Sequence, residues 1–361
     1  MKIFLLKSMV TIFKFLSCPF LLLPIENKIT ILSRIDNVKT LDITILEKEL
    51  KKQFKNYEIV ILTDYLEKGI KGILKYLLKM PKYLFNIYTS KLVICDSYIP
   101  AVSLTFKKKE TKIVQMWHAM GAYKQFGYSI LDKYEGSPSE IAKVLKMHKN
   151  YDYVLASSEY SKEKFSEAFN IDENKFIISL LPKCSYLKEN NEKFKKQILN
   201  NIKNLNNNKI NILYAPTFRK SKRNYMTDII DCLDYEKYNL IIKNHKGHEV
   251  VYVDNKKIYE EKRKYDLKLL SVSDIVITDY SAITFEAMLA NKPVYFYVPD
   301  YDEYMNERGI YEKIEDGKYY KNVETLLKNI DTEPYLSKEK YVDETSVSLV
   351  DILNKIIKGE I

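Results

Sequence analysis

The 361-residue chain is longer than a single ordinary core needs, so two domains are expected. A hydrophobic fraction of 46% excludes intrinsic disorder, and only 9 glycines and 10 prolines exclude collagenous or low-complexity character. The formal net charge of +10 suits an anionic lipid surface or a phosphate-rich substrate; no zinc knuckle or aromatic–basic RNP pattern points to nucleic acid.

In chain order, residues 4–23 are strongly apolar but broken by Lys7, Lys14 and Pro19. A spanning helix wants about 20 apolar residues with few charges, and no small-residue cleavage site follows. Residues 1–25 are therefore expected to be an interfacial membrane-associating segment, with a buried first helix and a signal sequence as alternatives. Short apolar runs predict strands at 28–32, 58–62, 91–95, 112–117, 153–156 and 175–180, then at 210–214, 240–243, 275–278 and 293–297. Helical stretches alternate with them, so an α/β chain of two open parallel sheets is expected. Residues 68–88 place Lys71, Lys75, Lys79 and Lys82 among leucines at helical spacing. Such a basic amphipathic helix suits an anionic membrane surface, the alternative being an ordinary helix packed on the sheet. The Lys- and Asn-rich stretch 189–209, with a charged helix over 191–199, reads as the linker. It divides a first domain, 26–188, from a second, 210–361, whose final helix is free to pack back on the first.

The chemistry-bearing residues fall just past strand ends, where open α/β sheets bind ligands. His118 follows the strand at 112–117 and precedes Met120-Gly121; His245 follows the strand at 240–243. A neutral imidazole can take a hydroxyl proton, and an imidazolium can bind phosphate oxygens. His148, in the run 141–150, reads as a solvated helix residue, and His248 as loop polarity. Thr278-Asp279-Tyr280-Ser281 ends a strand and opens a helix with Ser281 as N-cap. The first-turn N–H groups and the hydroxyls of Ser281 and Thr284 would bind phosphate, and Glu286 would accept from ribose hydroxyls. The alternative there is a plain strand–cap–helix unit. After the strand at 210–214, Thr217 and Arg219 offer a hydroxyl and a planar cation to phosphate. The cysteines Cys18, Cys95, Cys184 and Cys232 lack metal or redox spacing, as in a reducing cytoplasm. There is no Walker lysine loop, GxGxxG, HExxH or GxSxG. The Asp-Tyr-Asp at Asp300 to Asp302 follows a strand and Pro299, so it is not taken as a metal motif.

Four ordered elements together resemble the CDP-glycerol glycerophosphotransferase family of wall teichoic acid synthesis. They are Trp117-His118-Ala119 with Lys124 and Gly127; Ala215-Pro216-Thr217-Phe218-Arg219; Lys243-Asn244-His245; and Thr278-Asp279-Tyr280-Ser281-Ala282 with Phe285-Glu286. Ala119, Ala282, Lys183 and Ser185 depart from the family pattern. The resemblance implies a GT-B fold of two facing Rossmann-like domains and a direct displacement at the β-phosphorus of CDP-glycerol or another CDP-alcohol, with CMP leaving. It implies His118 and His245 as the catalytic pair, with His118 as general base or the two in exchanged roles, and Thr217, Arg219, Lys243, Thr278, Asp279, Tyr280, Ser281, Thr284 and Glu286 on the donor. Trp117, Gly121 and Lys124 would lie on the acceptor side. A lipid-linked, undecaprenyl-type acceptor at the cytoplasmic face of the membrane follows, with no cofactor indicated by a motif, although Mg²⁺ would be compatible. The shortness of the chain favours a primase-like or single-addition role. The competing readings are a GT-B glycosyltransferase using a nucleotide sugar and a non-catalytic, membrane-bound nucleotide-binding protein.

Overall fold

The computed structural model describes residues 2–65, 69–201, 205, 208–217, 225–243, 258–261, 266–312, 319–330, 338–343 and 347–361. They fall into two units: Met1–Gly121 with Phe126–Lys183 and Asp343–Ile361, and Ala122–Gln125 with Cys184–Val342.

The first unit is built on six parallel strands: β1 (Glu26–Ser33), β2 (Glu58–Thr63), β3 (Ser90–Cys95), β4 (Lys112–Gln115), β5 (Tyr153–Ala156) and β6 (Phe176–Ile178). Their spatial order is β2-β1-β3-β4-β5-β6. Aliphatic runs such as KITIL and LVI are buried along their length, as parallel strands covered on both faces require. Its helices are α1 (Lys2–Ser17), α2 (Leu41–Gln53), α3 (Ile70–Thr89), α4 (Pro100–Leu104), α5 (Ser139–Val144) and α6 (Glu159–Phe169). Thr40 caps α2 by accepting from the Ile43 amide, and Ser158 caps α6 by accepting from Ser161. Ile43, Leu46 and Leu50 of α2 pack on Ile29, Ile31, Leu92 and Ile94 of the sheet. Leu349, Val350, Ile352, Leu353 and Ile356, from the last helix of the chain, join the same cluster. Each such side chain contributes about 1.5–3 kcal/mol on full burial, which ties the end of the chain to the sheet formed by its beginning.

The second unit contains α7 (Pro182–Glu189, starting at the tail of the first), α8 (Asn191–Asn201), β7 (Ile210–Ala215), α9 (Met226–Cys232), β8 (Tyr238–Lys243) and β9 (Ile258–Glu261). β10 (Ile275–Thr278), α10 (Ile283–Leu289), β11 (Val294–Tyr297), α11 (Tyr301–Glu307), β12 (Tyr319–Tyr320), α12 (Val323–Lys328) and α13 (Lys338–Tyr341) complete it, and α14 (Leu349–Lys358) is the helix on the first sheet. The second sheet is again wholly parallel, in the order β12-β11-β10-β7-β8-β9. Met226, Ile229 and Ile230 of α9 and Val323 and Leu326 of α12 cover Ile212, Tyr214, Leu240 and Ile277. Residues 191–201 are helical, with Phe194 and Ile198 buried.

Each sheet reverses the direction in which successive strands are added at one point: between β1 and β3 in the first, between β7 and β10 in the second. At such a point the loops leaving neighbouring strands diverge and open a crevice outside the carboxyl ends. In the first unit the chain there reads Ser33-Arg34 and Asp96-Ser97; in the second, Pro216-Thr217 and Asp279-Tyr280-Ser281.

Candidate active site

In the first unit His118 lies three residues past β4, next to the switch point, with its side chain exposed. Its Nδ1 is 2.9 Å from the backbone carbonyl oxygen of Asp96, at the end of β3. A carbonyl oxygen only accepts, so Nδ1 bears the hydrogen, and when the ring is neutral Nε2 is its lone-pair nitrogen. The sequence expected β4 to run to residue 117; it ends at Gln115 because Trp117 adopts φ +58, a left-handed conformation rare for a bulky residue. The Trp117 amide donates to Gln115 Oε1 at 2.9 Å, and Gln115 Nε2 donates to the Ser97 carbonyl and to Tyr151, both at 3.0 Å. The indole packs on the His118 ring at 4.3 Å between centroids and stacks on Phe126 at 5.3 Å. Gly127, at φ +61, brings its backbone so close to the Ala168 carbonyl that a Cβ would sit 2.1 Å from that oxygen. Glycine is thus required there on both counts.

Asp96 was missed by sequence reasoning. An acidic residue immediately after a fully buried strand was the available signal. Its side chain is almost fully buried, Oδ1 accepts from Ser97 Oγ at 2.9 Å, and Oδ2 has no hydrogen-bond partner among the described residues. Burial pushes this carboxyl up to about 7, against the opposing hydrogen bonds of Ser33 and Ser97. His148 also departs from expectation. α5 ends at Val144, and positive φ at Lys146, His148 and Asn150 turns the chain inward. The imidazole is buried against Phe169, Tyr98, Tyr151 and Trp117, and burial lowers it to about 3. It is an aromatic-cluster residue beneath the Trp117 loop, not a solvated helix residue.

In the second unit, Asp279 is buried and accepts from the Thr217 amide with both carboxylate oxygens, at 2.8 and 3.1 Å, and from the Tyr280 amide at 2.6 Å. It bolts the end of β7 to the end of β10. Three hydroxyls read from sequence as phosphate donors are committed elsewhere. Thr278 donates to the Ala215 carbonyl at 2.7 Å. Tyr280 is buried, donates to Asp300 at 3.1 Å and stacks on Tyr304 at 3.7 Å. Thr284 is buried and donates to the Ser281 carbonyl at 2.9 Å. The N-cap position is Ala282 rather than Ser281, and α10 has seven residues. The Thr284 and Phe285 amides already bond Ser281 and Ala282. Half-buried Ser281 is what remains of the expected anion site, its Oγ 3.5 Å from the Ile283 amide. Glu286 is buried and lines a cavity of about 180 Å³ with Leu187, Phe194 and Leu270. Lys243 closes β8, half-buried. His245, His248 and Arg219 lie outside the described residues.

Gly121 is buried in the first unit, whereas Lys124, expected on the acceptor side, belongs to the second. It bridges to Ile310, and neighbouring Tyr123 stacks on Phe296 at 5.2 Å. In α3, Tyr76, Met80, Tyr83, Leu84, Ile87 and Tyr88 are buried, while Leu74, Leu77, Leu78 and Phe85 are exposed. Lys71, Lys75, Lys79 and Lys82 are exposed as well, with Lys79 paired to Asp64. Lys75 and Lys79 line a cavity of about 380 Å³ with Asn37, Thr63 and Asp64. The apolar segment Ile3–Leu22 is only 6% buried, unlike a buried first helix, and by length and composition alone it is long and apolar enough to cross a membrane. It meets α3 where Phe20 stacks on Tyr88, 6.3 Å between centroids.

A model of the CDP-glycerol:poly(glycerophosphate) glycerophosphotransferase family matches residues 18–350. The chain is 32% identical over 302 residues to the teichoic acid ribitol-phosphate primase of Bacillus spizizenii, covering 79% of this chain and 77% of that protein. It is 30% identical over 365 residues to the teichoic acid glycerol-phosphate primase of Bacillus subtilis, covering 92% and 93%. Among solved structures, a wall teichoic acid polymerase, TagF, soaked with CDPG superposes with a TM-score of 0.69 over 99% of this chain and 98% of that one. At 18% identity, this is a likeness of fold.

Proposed function

This chain belongs to the CDP-glycerol:poly(glycerophosphate) glycerophosphotransferase family, and from that premise we propose that it transfers an alditol phosphate from a CDP-alcohol to a hydroxyl of a lipid-linked acceptor in teichoic acid synthesis. The observation that supports this most directly is the exposed His118 imidazole, whose Nδ1 is engaged by the Asp96 carbonyl at 2.9 Å. With the hydrogen on Nδ1, Nε2 is the basic nitrogen that would take the acceptor's hydroxyl proton. The acceptor oxygen then bonds the β-phosphorus, the bond from that phosphorus to the bridging oxygen breaks, and CMP departs with the bridging oxygen and its electron pair. The proton passes from the imidazolium to solvent. By sequence assignment, Thr217, Lys243, His245 and Arg219 steady the pyrophosphate as charge moves to CMP.

The same reading places the protein peripherally on the cytoplasmic face of the membrane. Exposed Phe4, Leu5, Ile12, Phe15 and Leu16 of α1, together with Leu74, Leu77, Leu78 and Phe85 of α3, would enter the acyl boundary, and the α3 lysines would meet anionic headgroups. The test supplies CDP-glycerol, CDP-ribitol and UDP-sugars in turn with a synthetic undecaprenyl-linked acceptor, and the products are weighed. CMP release with a gain of one alditol phosphate supports the proposal. Release of a nucleoside diphosphate with a gain of one sugar replaces it by glycosyl transfer.

A further inference from the structure

We propose that Lys183, held by Asp42, is a positioning residue for His118: it fixes the backbone of the base so that its ring stays seated on the Asp96 carbonyl. This rests on the functional reading above and adds to it a residue pair outside the switch-point loops. Lys183 is the second residue of α7, and Asp42 lies in the first turn of α2. The Lys183 amide donates to Asp42 Oδ1 at 2.9 Å, and its ammonium lies 3.6 Å from Asp42 Oδ2. The same ammonium donates to the His118 carbonyl oxygen at 3.1 Å. The two side chains are only 8% and 7% exposed.

A buried ion pair is a poor device for stability alone, because desolvating both charges offsets their attraction. What distinguishes this pair is its third partner. The chain at Trp117 is held at φ +58, a conformation that persists only where its surroundings impose it. Three anchors impose it: Gln115 Oε1 on the Trp117 amide, the Asp96 carbonyl on the His118 ring, and Lys183 on the His118 carbonyl. The first fixes the loop before the base, the second fixes the ring, and the third fixes the backbone after it. Lys183 and Asp42 have opposite charges, so their action on the imidazole is geometric. Misplacing a reacting group by about 1 Å costs up to about 100-fold in rate.

The experiment uses the full chain with CDP-glycerol and a lipid-linked acceptor. It compares Lys183→Met, the charge-free pair D42N/K183M, and Lys183→Arg, which keeps a cationic donor. The double variant guards against misfolding, since Lys183→Met alone strands a buried carboxylate. Two readouts are taken: kcat and KM, and the ¹⁵N–¹H spectrum of the imidazoles, where only four histidines contribute and His118 is identified by its loss in His118→Ala. The expected result is a kcat about 10- to 100-fold lower for Lys183→Met and the double variant, with the donor KM unchanged. Their His118 signal moves from the Nδ1–H tautomer toward a mixture, and Lys183→Arg restores both readouts. A folded double variant with wild-type kcat and an unshifted His118 signal overturns the proposal. If His118→Ala itself keeps turnover, the base assignment fails instead; the clamp then stands or falls on the spectrum alone.

Discussion

The Nδ1 atom of His118 sits 2.9 Å from the carbonyl oxygen of Asp96, although 22 residues separate them in the chain. Adjacent parallel strands bring them together: β3 ends at Cys95 and β4 at Gln115, in register as partners. One backbone acceptor thereby selects the tautomer of the candidate base.

The Asp96 carboxyl, held near 7 by burial, binds its proton more tightly folded than unfolded. Its ordinary value is 3.8, so its contribution to stability is complete below about pH 4 and is lost as pH rises through 7. Asp96→Asn removes that loss. The variant should gain stability relative to wild type as pH rises from 5 to 8, by on the order of 1 kcal/mol per pH unit up to about 7. Urea midpoints at the two pH values check this; a wild-type-minus-variant difference that does not change with pH contradicts it. Asp42, the nearest carboxylate influence, is retained in both proteins.

His148 gives the opposite slope. Burial lowers it from 6.5 to about 3, so the unfolded chain takes up the proton first. Its contribution is complete above about pH 6.5 and is lost as pH falls toward 3. In His148→Phe, which keeps a ring against Phe169 and Trp117, the stability advantage over wild type should widen as pH falls from 7 to 5. Thermal melts across that range read it directly, and parallel melting curves would count against the assignment.

Leu74 and Leu78 are 56% and 83% exposed on α3. Replacing both with Asp removes nothing from the core and places negative charge among the lysines. The affinity for vesicles containing anionic phospholipid, read by sedimentation, should fall at least about 100-fold, the loss of two leucine insertions at roughly 1.5 kcal/mol or more each, with the melting temperature unchanged. Undiminished sedimentation would remove α3 from the membrane account.

Much of this was legible in the sequence, because a fully buried parallel strand announces itself as a short β-branched run. Residues 153–156 and 275–278 match β5 and β10. β12 was not seen: two tyrosines, Tyr319 and Tyr320, form no run. The strand-end histidine was found from its place in the chain, but the identity of a hydroxyl says nothing of where it points. Thr278, Tyr280 and Thr284 therefore read as ligand donors although they face the protein. His148 fitted helical spacing, and three left-handed residues that no periodicity reports redirected it. The Asp42–Lys183 pair spans 141 positions, and only tertiary structure joins it.

The measurement closest to the central claim is the rate of CMP release from CDP-glycerol by His118→Ala, in the presence of lipid-linked acceptor. The side chain is exposed rather than part of either hydrophobic core cluster, so the melting temperature should stay close to that of wild type. Removing a general base is worth about 10²- to 10⁴-fold, and turnover should fall by that much. A variant that melts with wild type and still releases CMP at the wild-type rate would show that His118 is not the base.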